Sequence, residues 1–306
     1  MRQPISIKPC RLKDGDVIGI VAPSSPFKLH DLKQGVAALH AMGYRTHLAN
    51  DLLARNGYLA GDDRQRFLQL HQMFADPQVN AVMCARGGFG AIKLLERLDY
   101  GLIGANAKPF IGFSDITALH QAFFQKTGLV TFHGPLVTTL AKADAATHKT
   151  WKAALAGDQP LRYAVQEKQI LRAGSAEGIF RGGNLATLCH LLGTSFAPDL
   201  DGCLLFIEDT GEAPYRVDRM LTQMKMAGTF QGLKGLVVGS FKGCGDYAQI
   251  LQLIDQHFKD MRIPIITGFP MGHDEPNVTV PLGLSARMDT DKGEFVFAEA
   301  ATRDCQ

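Results

Sequence analysis

Lysine and arginine never cluster densely in this chain, and its formal net charge is only +2. It therefore lacks the electrostatic footprint of a nucleic-acid binder or of a protein held on an anionic membrane surface. No apolar run is long enough to span a bilayer, and Met1 to Pro9 holds no continuous apolar stretch of the kind a secretory leader needs, so a cytoplasmic location is expected. The six cysteines, Cys10, Cys84, Cys189, Cys203, Cys244 and Cys305, show no C-x-x-C spacing. That argues against a zinc ribbon and a disulfide framework, and predicts that most are small buried apolar side chains. Cys84 ends a strand beside a glycine turn, where a thiol could act as a nucleophile, but Val82 and Met83 favour core packing. With these classes set aside, a small-molecule partner is expected.

What the chain does have is apolar content: 46% hydrophobic and 20% charged residues over 306 positions describe a globular protein long enough for two domains. In the first half, apolar runs at Val17 to Val21, Tyr44 to Leu48, Ala81 to Ala85, Phe110 to Phe113 and Val130 to Phe132 read as buried strands. Between them, Asp31 to Met42, Asp62 to Phe74, Gly90 to Leu98 and Asp115 to Lys126 carry helical spacing. The alternation predicts a doubly wound parallel α/β sheet, with ligands collecting at the carboxyl ends of its strands. From Ala141 to Ala173 the pattern loosens around Trp151 and a Gly157-Asp158-Gln159-Pro160 turn, which reads as a crossing. Beyond it, strands at Cys203 to Ile207, Leu236 to Gly239, Ile263 to Thr267 and Phe295 to Ala298 mix with helices at Tyr215 to Met226 and Tyr247 to Phe258. The expected division is a nucleophile domain over 1–155, a linker over 156–176 and a second α/β domain over 177–306.

The fragment Phe110-Ile111-Gly112-Phe113-Ser114-Asp115-Ile116-Thr117 runs from a strand through a glycine into a helix start. Such a turn projects the Ser114 hydroxyl from the sheet, with the Asp115 N–H and the helix dipole available to an oxyanion. The competing reading is that Ser114 only caps the helix. Ala85-Arg86-Gly87-Gly88-Phe89-Gly90 lacks the G-K-[ST] ending of a P-loop and does not fit G-x-G-x-x-G. It is a tight turn that also makes the Gly88 N–H a second oxyanion donor. Arg181-Gly182-Gly183-Asn184-Leu185 is either a turn or a substrate-facing loop.

Ten histidines compete to be the base. His30, His40, His71, His148 and His257 fall on predicted surface helices or their ends, His120 on the helix after Ser114, and His133 at a strand end. His273 has the most suggestive surroundings, the turn-rich Gly268-Phe269-Pro270-Met271-Gly272-His273-Asp274-Glu275-Pro276. Glu208, Asp209 and Glu212 close a buried strand, where a carboxylate needs an imidazolium or guanidinium neighbour. For Asp209 and Glu212 an ion pair with Arg216 or Arg219 is the plainer alternative.

Taken together, Val21-Ala22-Pro23-Ser24-Ser25, the Arg86 glycine turn, Gly112-Phe113-Ser114-Asp115, Glu208-Asp209 with Pro214 to Leu221, and Gly272-His273 with Pro281-Leu282-Gly283 resemble the LD-carboxypeptidases of serine-peptidase family S66. Those are bacterial enzymes acting on murein tripeptide-D-alanine. The resemblance implies a Ser-Glu-His triad at Ser114, Glu208 and His273, an N-terminal flavodoxin-like domain, a C-terminal swivelling β/α domain, a cleft between them and a homodimer. It implies release of terminal D-alanine from murein tetrapeptides, without metal or organic cofactor. Domain closure is expected to assemble the site, because the triad comes from both domains. Arg86 and Arg181, beside glycine turns, are the candidates for the substrate's terminal carboxylate. Three other readings stay open: a microcin C-type immunity peptidase stacking a nucleotide base on Phe180 or Tyr215 in place of Trp151, a general esterase, and a murein-peptide binder without catalysis.

Overall fold

Because helices cover both of its faces, the first sheet is built from short strands that are apolar almost throughout. They are β1 (Val17–Val21), β2 (Arg45–Leu48), β3 (Ala81–Cys84), β4 (Phe110–Gly112) and β5 (Thr131–His133). β3, β4 and β5 are buried at every position, whereas edge strand β2 is largely exposed. The structure, a computed structural model, describes residues 3–305; Met1, Arg2 and Gln306, the outermost residues of the two expected domains, lie outside the described residues. The five strands run parallel in the order β5-β4-β3-β1-β2, the expected doubly wound arrangement. The helix Asp63–Ala75 begins in a capping box, Asp62 accepting from the Gln65 N–H at 2.7 Å and Gln65 returning the bond to Asp62 at 2.9 Å. Residues 91–97, read as α-helix, form a 3-10 helix instead.

The second half adds β6 (Arg162–Ala164), β7 (Ile170–Arg172), β8 (Ser175–Asn184), β9 (Cys203–Thr210), β10 (Gly235–Lys242), β11 (Ile265–Ile266), β12 (Val280–Leu282), β13 (Ser285–Asp289) and β14 (Glu294–Phe297). Among the described residues, eight of these form one mixed sheet in the order β6-β14-β13-β8-β9-β10-β11-β7. β6 and β7 lie in the stretch read as a linker, so that stretch holds strands of the second sheet. β12 crosses back to pair antiparallel with β5 and completes the first sheet. The result is a two-domain α/β fold, flavodoxin-like at the N-terminus and swivelling β/α at the C-terminus.

Alternation along β9 sorts its residues between two cores. Leu204 and Phe206 pack into a cluster shared with the first sheet, whereas Cys203, Leu205 and Ile207 pack under the outer helices with Val217, Leu221 and Ile254. Continued by two residues, the rule sends Glu208 toward the first domain and Asp209 away from it. The shared cluster includes Phe110, Phe123 and Phe132 beside Phe180, Phe206 and Phe295. A hinge would have to open that core, so packing already holds the two domains in register and the expected closing swing is not needed to bring them together.

The cysteine reading needs one correction. Cys10 and Cys305 form a disulfide across 295 positions, beside the pairing of Cys10 with Arg303. Their distance along the chain hides this, since only the fold brings both ends against the first domain. Cys84, Cys189, Cys203 and Cys244 are free and buried, as expected.

Candidate functional site

Ser114 sits at the carboxyl end of β4 with φ at +67°, a left-handed conformation that non-glycine residues adopt only under constraint. The capping alternative fails, because neither the short turn Ser114–Ile116 nor the helix Thr117–Thr127 that follows receives a side-chain cap bond. The turn is tight enough to crowd any side chain at the two glycines beside it. A Cβ on Gly112 would lie 3.0 Å from the Ile116 side chain, and one on Gly87 only 2.9 Å from Ser114 Cβ. Gly87 therefore brings the β3 loop directly against Ser114.

The loop after β1 organises this end of the sheet. Ser24 donates from its hydroxyl to the Asp115 carboxylate at 2.6 Å, and the Ala91 N–H donates to the same oxygen at 2.8 Å. Ser25 accepts from the Phe89 N–H at 3.1 Å and donates its own N–H to the Gly87 carbonyl at 3.2 Å. Gly88, between those anchors, has φ +110°, and a Cβ there would meet Ser25 Oγ at 2.4 Å. Neither the Gly88 nor the Asp115 N–H donates to another protein group among the described residues. Burial raises the Asp115 pKa, which its hydrogen bonds only partly offset.

The expected acid and base stand opposite. Glu208 is fully buried and His273 Nδ1 lies 2.6 Å from its Oε2. Gly272, at φ +118°, passes so close that a Cβ would come within 2.7 Å of that carboxylate oxygen and 2.6 Å of Ser240 Oγ. Ser240 receives the His273 N–H at 2.9 Å, and Asn277 receives the Gly272 N–H at 3.1 Å, so both ends of the histidine turn are tied. Ser240 and Asn277 were missed from sequence, where only the density of turn residues around His273 hinted at a fixed loop. Burial lowers the His273 pKa, but the hydrogen bond and charge of Glu208, with Asp209 adding to them, carry it above the ordinary histidine value. The His273 ring packs edge-on against Phe113, the residue before Ser114, at 4.8 Å between centroids. Among the described residues His273 Nδ1 is engaged by Glu208, and Ser114 Oγ makes no hydrogen bond to the ring.

Other expectations resolve against the site. His133 is fully buried between Phe113 and Phe206, and burial pulls its pKa well below the ordinary value, so it stays neutral and sealed. His120 is buried and held on the Gly112 carbonyl at 2.9 Å. Burial pushes the Cys84 thiol pKa far up, which removes it as a nucleophile. Asp209 takes no arginine. It accepts from Asn184, Thr210 and Ala186 at 2.8–2.9 Å, while Glu212 pairs with Arg216 at the surface.

Arg181 is also a correction. It lies inside β8, not in a loop, is 2% exposed, and spends its guanidinium on Gln121 Oε1 at 2.6 Å and the Asp199 carbonyl at 2.6 Å. Burying a free carboxylate there would displace bonds that lock the Ser114 helix to the second sheet. Arg86 remains exposed at the β3 end, with one N–H on the Pro26 carbonyl at 2.5 Å. Phe180 and Trp151 are fully buried and cannot stack on a ligand, whereas Tyr215 is 58% exposed. Among the described residues, no group of three or more histidine, cysteine or acidic side chains is arranged to hold a metal ion.

The LD-carboxypeptidase N-terminal domain matches residues 18–134 and the LD-carboxypeptidase C-terminal domain matches residues 177–288. A probable murein peptide carboxypeptidase of Bacillus subtilis is 39% identical over 94% of this chain and 92% of its own. Among solved structures, a microcin-immunity (MccF)-like protein of Bacillus anthracis superposes with a TM-score of 0.89 at 27% identity, over 96% of this chain and 100% of that one. A muramoyltetrapeptide carboxypeptidase of Oxalobacter formigenes superposes at 0.82 with 30% identity, over 92% and 97%. With both halves matched in order, the chain belongs to the LD-carboxypeptidases of peptidase family S66.

Proposed function

We propose that this protein is a serine-type LD-carboxypeptidase that releases terminal D-alanine from murein tetrapeptides during peptidoglycan recycling. The observation that carries the reading is the left-handed Ser114 turn facing a buried Glu208–His273 pair across Phe113. Glu208 accepts from the Nδ1–H of His273, which leaves Nε2 unprotonated and free to take a proton. Ser114 Oγ attacks the amide carbonyl as His273 Nε2 removes its proton, giving a tetrahedral oxyanion. The N–H groups of Gly88 and Asp115 stabilise that oxyanion, each at about 3 kcal/mol by analogy with protease donors. Collapse breaks the C–N bond, and His273 returns the proton to the departing amine of D-alanine. Water, deprotonated by the same imidazole, then attacks the Ser114 ester and frees the serine. Arg86 supplies a guanidinium for the terminal carboxylate.

The same proposal includes a cytoplasmic homodimer needing no metal or cofactor. It keeps an N-terminal domain ending near 155 and gives β6 and β7 to the second domain, whose family match begins at residue 177. The direct test is mass-spectrometric detection of D-alanine released from L-Ala-γ-D-Glu-meso-diaminopimelyl-D-Ala. No release would move the reading to an aminoacyl-nucleotide conjugate, for which Tyr215 is the one exposed aromatic among the three considered. Failure to react with a serine-directed phosphonate as well would leave only a binding protein.

Ser25 gives a second check on the oxyanion assignment. Ser25→Ala removes the hydroxyl that fixes the Phe89 N–H beside Gly88. Loss of alignment should lower kcat about tenfold with little change in KM, since the donor is used mainly in the transition state. A rise in KM alone would remove Gly88 from the oxyanion role.

A further inference from the structure

We infer that Arg55 reads a second carboxylate of the substrate, acting beside Arg86 on a cationic, aromatic rim over the nucleophile; the inference rests on the carboxypeptidase reading. The loop after β1 that positions Ser114's surroundings also tethers both guanidiniums. Arg86 Nη1 donates to the Pro26 carbonyl at 2.5 Å and Arg55 Nη2 to the Phe27 carbonyl at 3.1 Å. Each tether uses one of five N–H donors and leaves the rest of the fork for a ligand. Both side chains are exposed, and neither pairs with a carboxylate among the described residues, although Arg11, Arg66, Arg172, Arg216 and Arg287 all do. Two unpaired arginines on successive carbonyls, on the same loop that binds Asp115 and Phe89 through Ser24 and Ser25, fit an anionic substrate.

The adjoining surface is apolar. Tyr58 and Phe89 are 66% and 45% exposed, with ring centroids 5.8 Å apart, and Phe89 directly follows Gly88. Arg86 immediately precedes Gly87 and Gly88, so it meets the carboxylate nearest the scissile amide. Arg55 is tethered at the next carbonyl, that of Phe27, and is assigned the carboxylate further from the cut. A murein tetrapeptide has two such groups beyond its C-terminus: one on a diaminopimelate side chain and the α-carboxylate of the γ-linked glutamate. Their shared chemistry is a free carboxylate on the acyl side.

The test compares the tetrapeptide L-Ala-γ-D-Glu-meso-diaminopimelyl-D-Ala with two analogues, one amidated on the diaminopimelate carboxylate and one on the glutamate carboxylate. Binding is measured calorimetrically on Ser114→Ala, and turnover on the protein with Ser114 intact. One amidation should weaken binding about tenfold, identifying the carboxylate that is read, and Arg55→Met should abolish that preference. Arg55→Lys, which keeps the charge but not the fork, should restore part of it. Equal binding of all three peptides, or an equal loss for all three in Arg55→Met, overturns the inference. Turnover without discrimination leaves the carboxypeptidase reading standing and removes the rim. Carboxylate-dependent binding without turnover does the reverse, and neither binding nor turnover removes both.

Discussion

Ser114→Ala is expected to reduce D-alanine release by a factor on the order of 10⁵ to 10⁶ in kcat, the scale on which loss of a serine nucleophile acts in other triads. Its melting temperature should barely move, because alanine keeps a Cβ in the same left-handed backbone, at φ +67°. Ser114→Gly should be equally inactive yet more stable, by about 1 kcal/mol, since glycine adopts that conformation without the Cβ–carbonyl crowding. In a chain of this size the gain corresponds to about 2 °C. The two variants thus separate what the hydroxyl does from what the backbone costs, and calorimetry beside a release assay reads both. A glycine variant melting below the alanine variant would show that the turn is relaxed. Residual release by either, well above the uncatalysed rate, would mean that Ser114 is not the nucleophile.

That strain was only partly legible in the sequence. Glycine followed two residues later by serine at a strand end suggests a projecting hydroxyl, but serine before aspartate suggests a cap equally well. What decides between them is Gly87, 27 residues away, whose missing side chain makes room for Ser114. Apolar runs made the five parallel strands of the first sheet readable to within a residue or two. β8 was lost because its two glycines looked like a turn. In the fold they are places of close approach: a Cβ on Gly182 would fall 1.9 Å from the Phe206 carbonyl and one on Gly183 would fall 2.5 Å from Thr117 Oγ1. A glycine pair that permits packing and one that permits turning look the same in one dimension. The short strands β6, β7 and β12 were invisible for a different reason, since each takes its stability from the sheet edge it joins. The distinction between Glu208 and Asp209 was in principle available, because period-two alternation from Leu204 and Phe206 points Glu208 inward.

The pair Glu208–His273 makes the strongest statement about pH. A general base must be neutral, and the imidazole pKa is raised above the ordinary 6.5, so kcat/KM should climb through an acid limb lying above that value. Stability runs the other way. The charged pair stabilises the fold fully below the unfolded histidine pKa, and that increment is lost as pH rises through the raised folded value, so activity grows while this contribution fades. Glu208→Gln removes the charge and the charge-assisted hydrogen bond that raise the pKa, and the acid limb should move down. The plateau should fall about 10³- to 10⁴-fold, because the amide no longer selects the tautomer with Nε2 free. Asp209, which burial pushes up to about 6, keeps part of the negative field near the ring and limits how far the limb moves. Asp209→Asn should therefore shift the limb down slightly with a far smaller loss of plateau rate. A pH–rate profile of the three proteins decides the matter: a limb that stays in place in Glu208→Gln would mean that the carboxylate sets neither the protonation nor the orientation of His273.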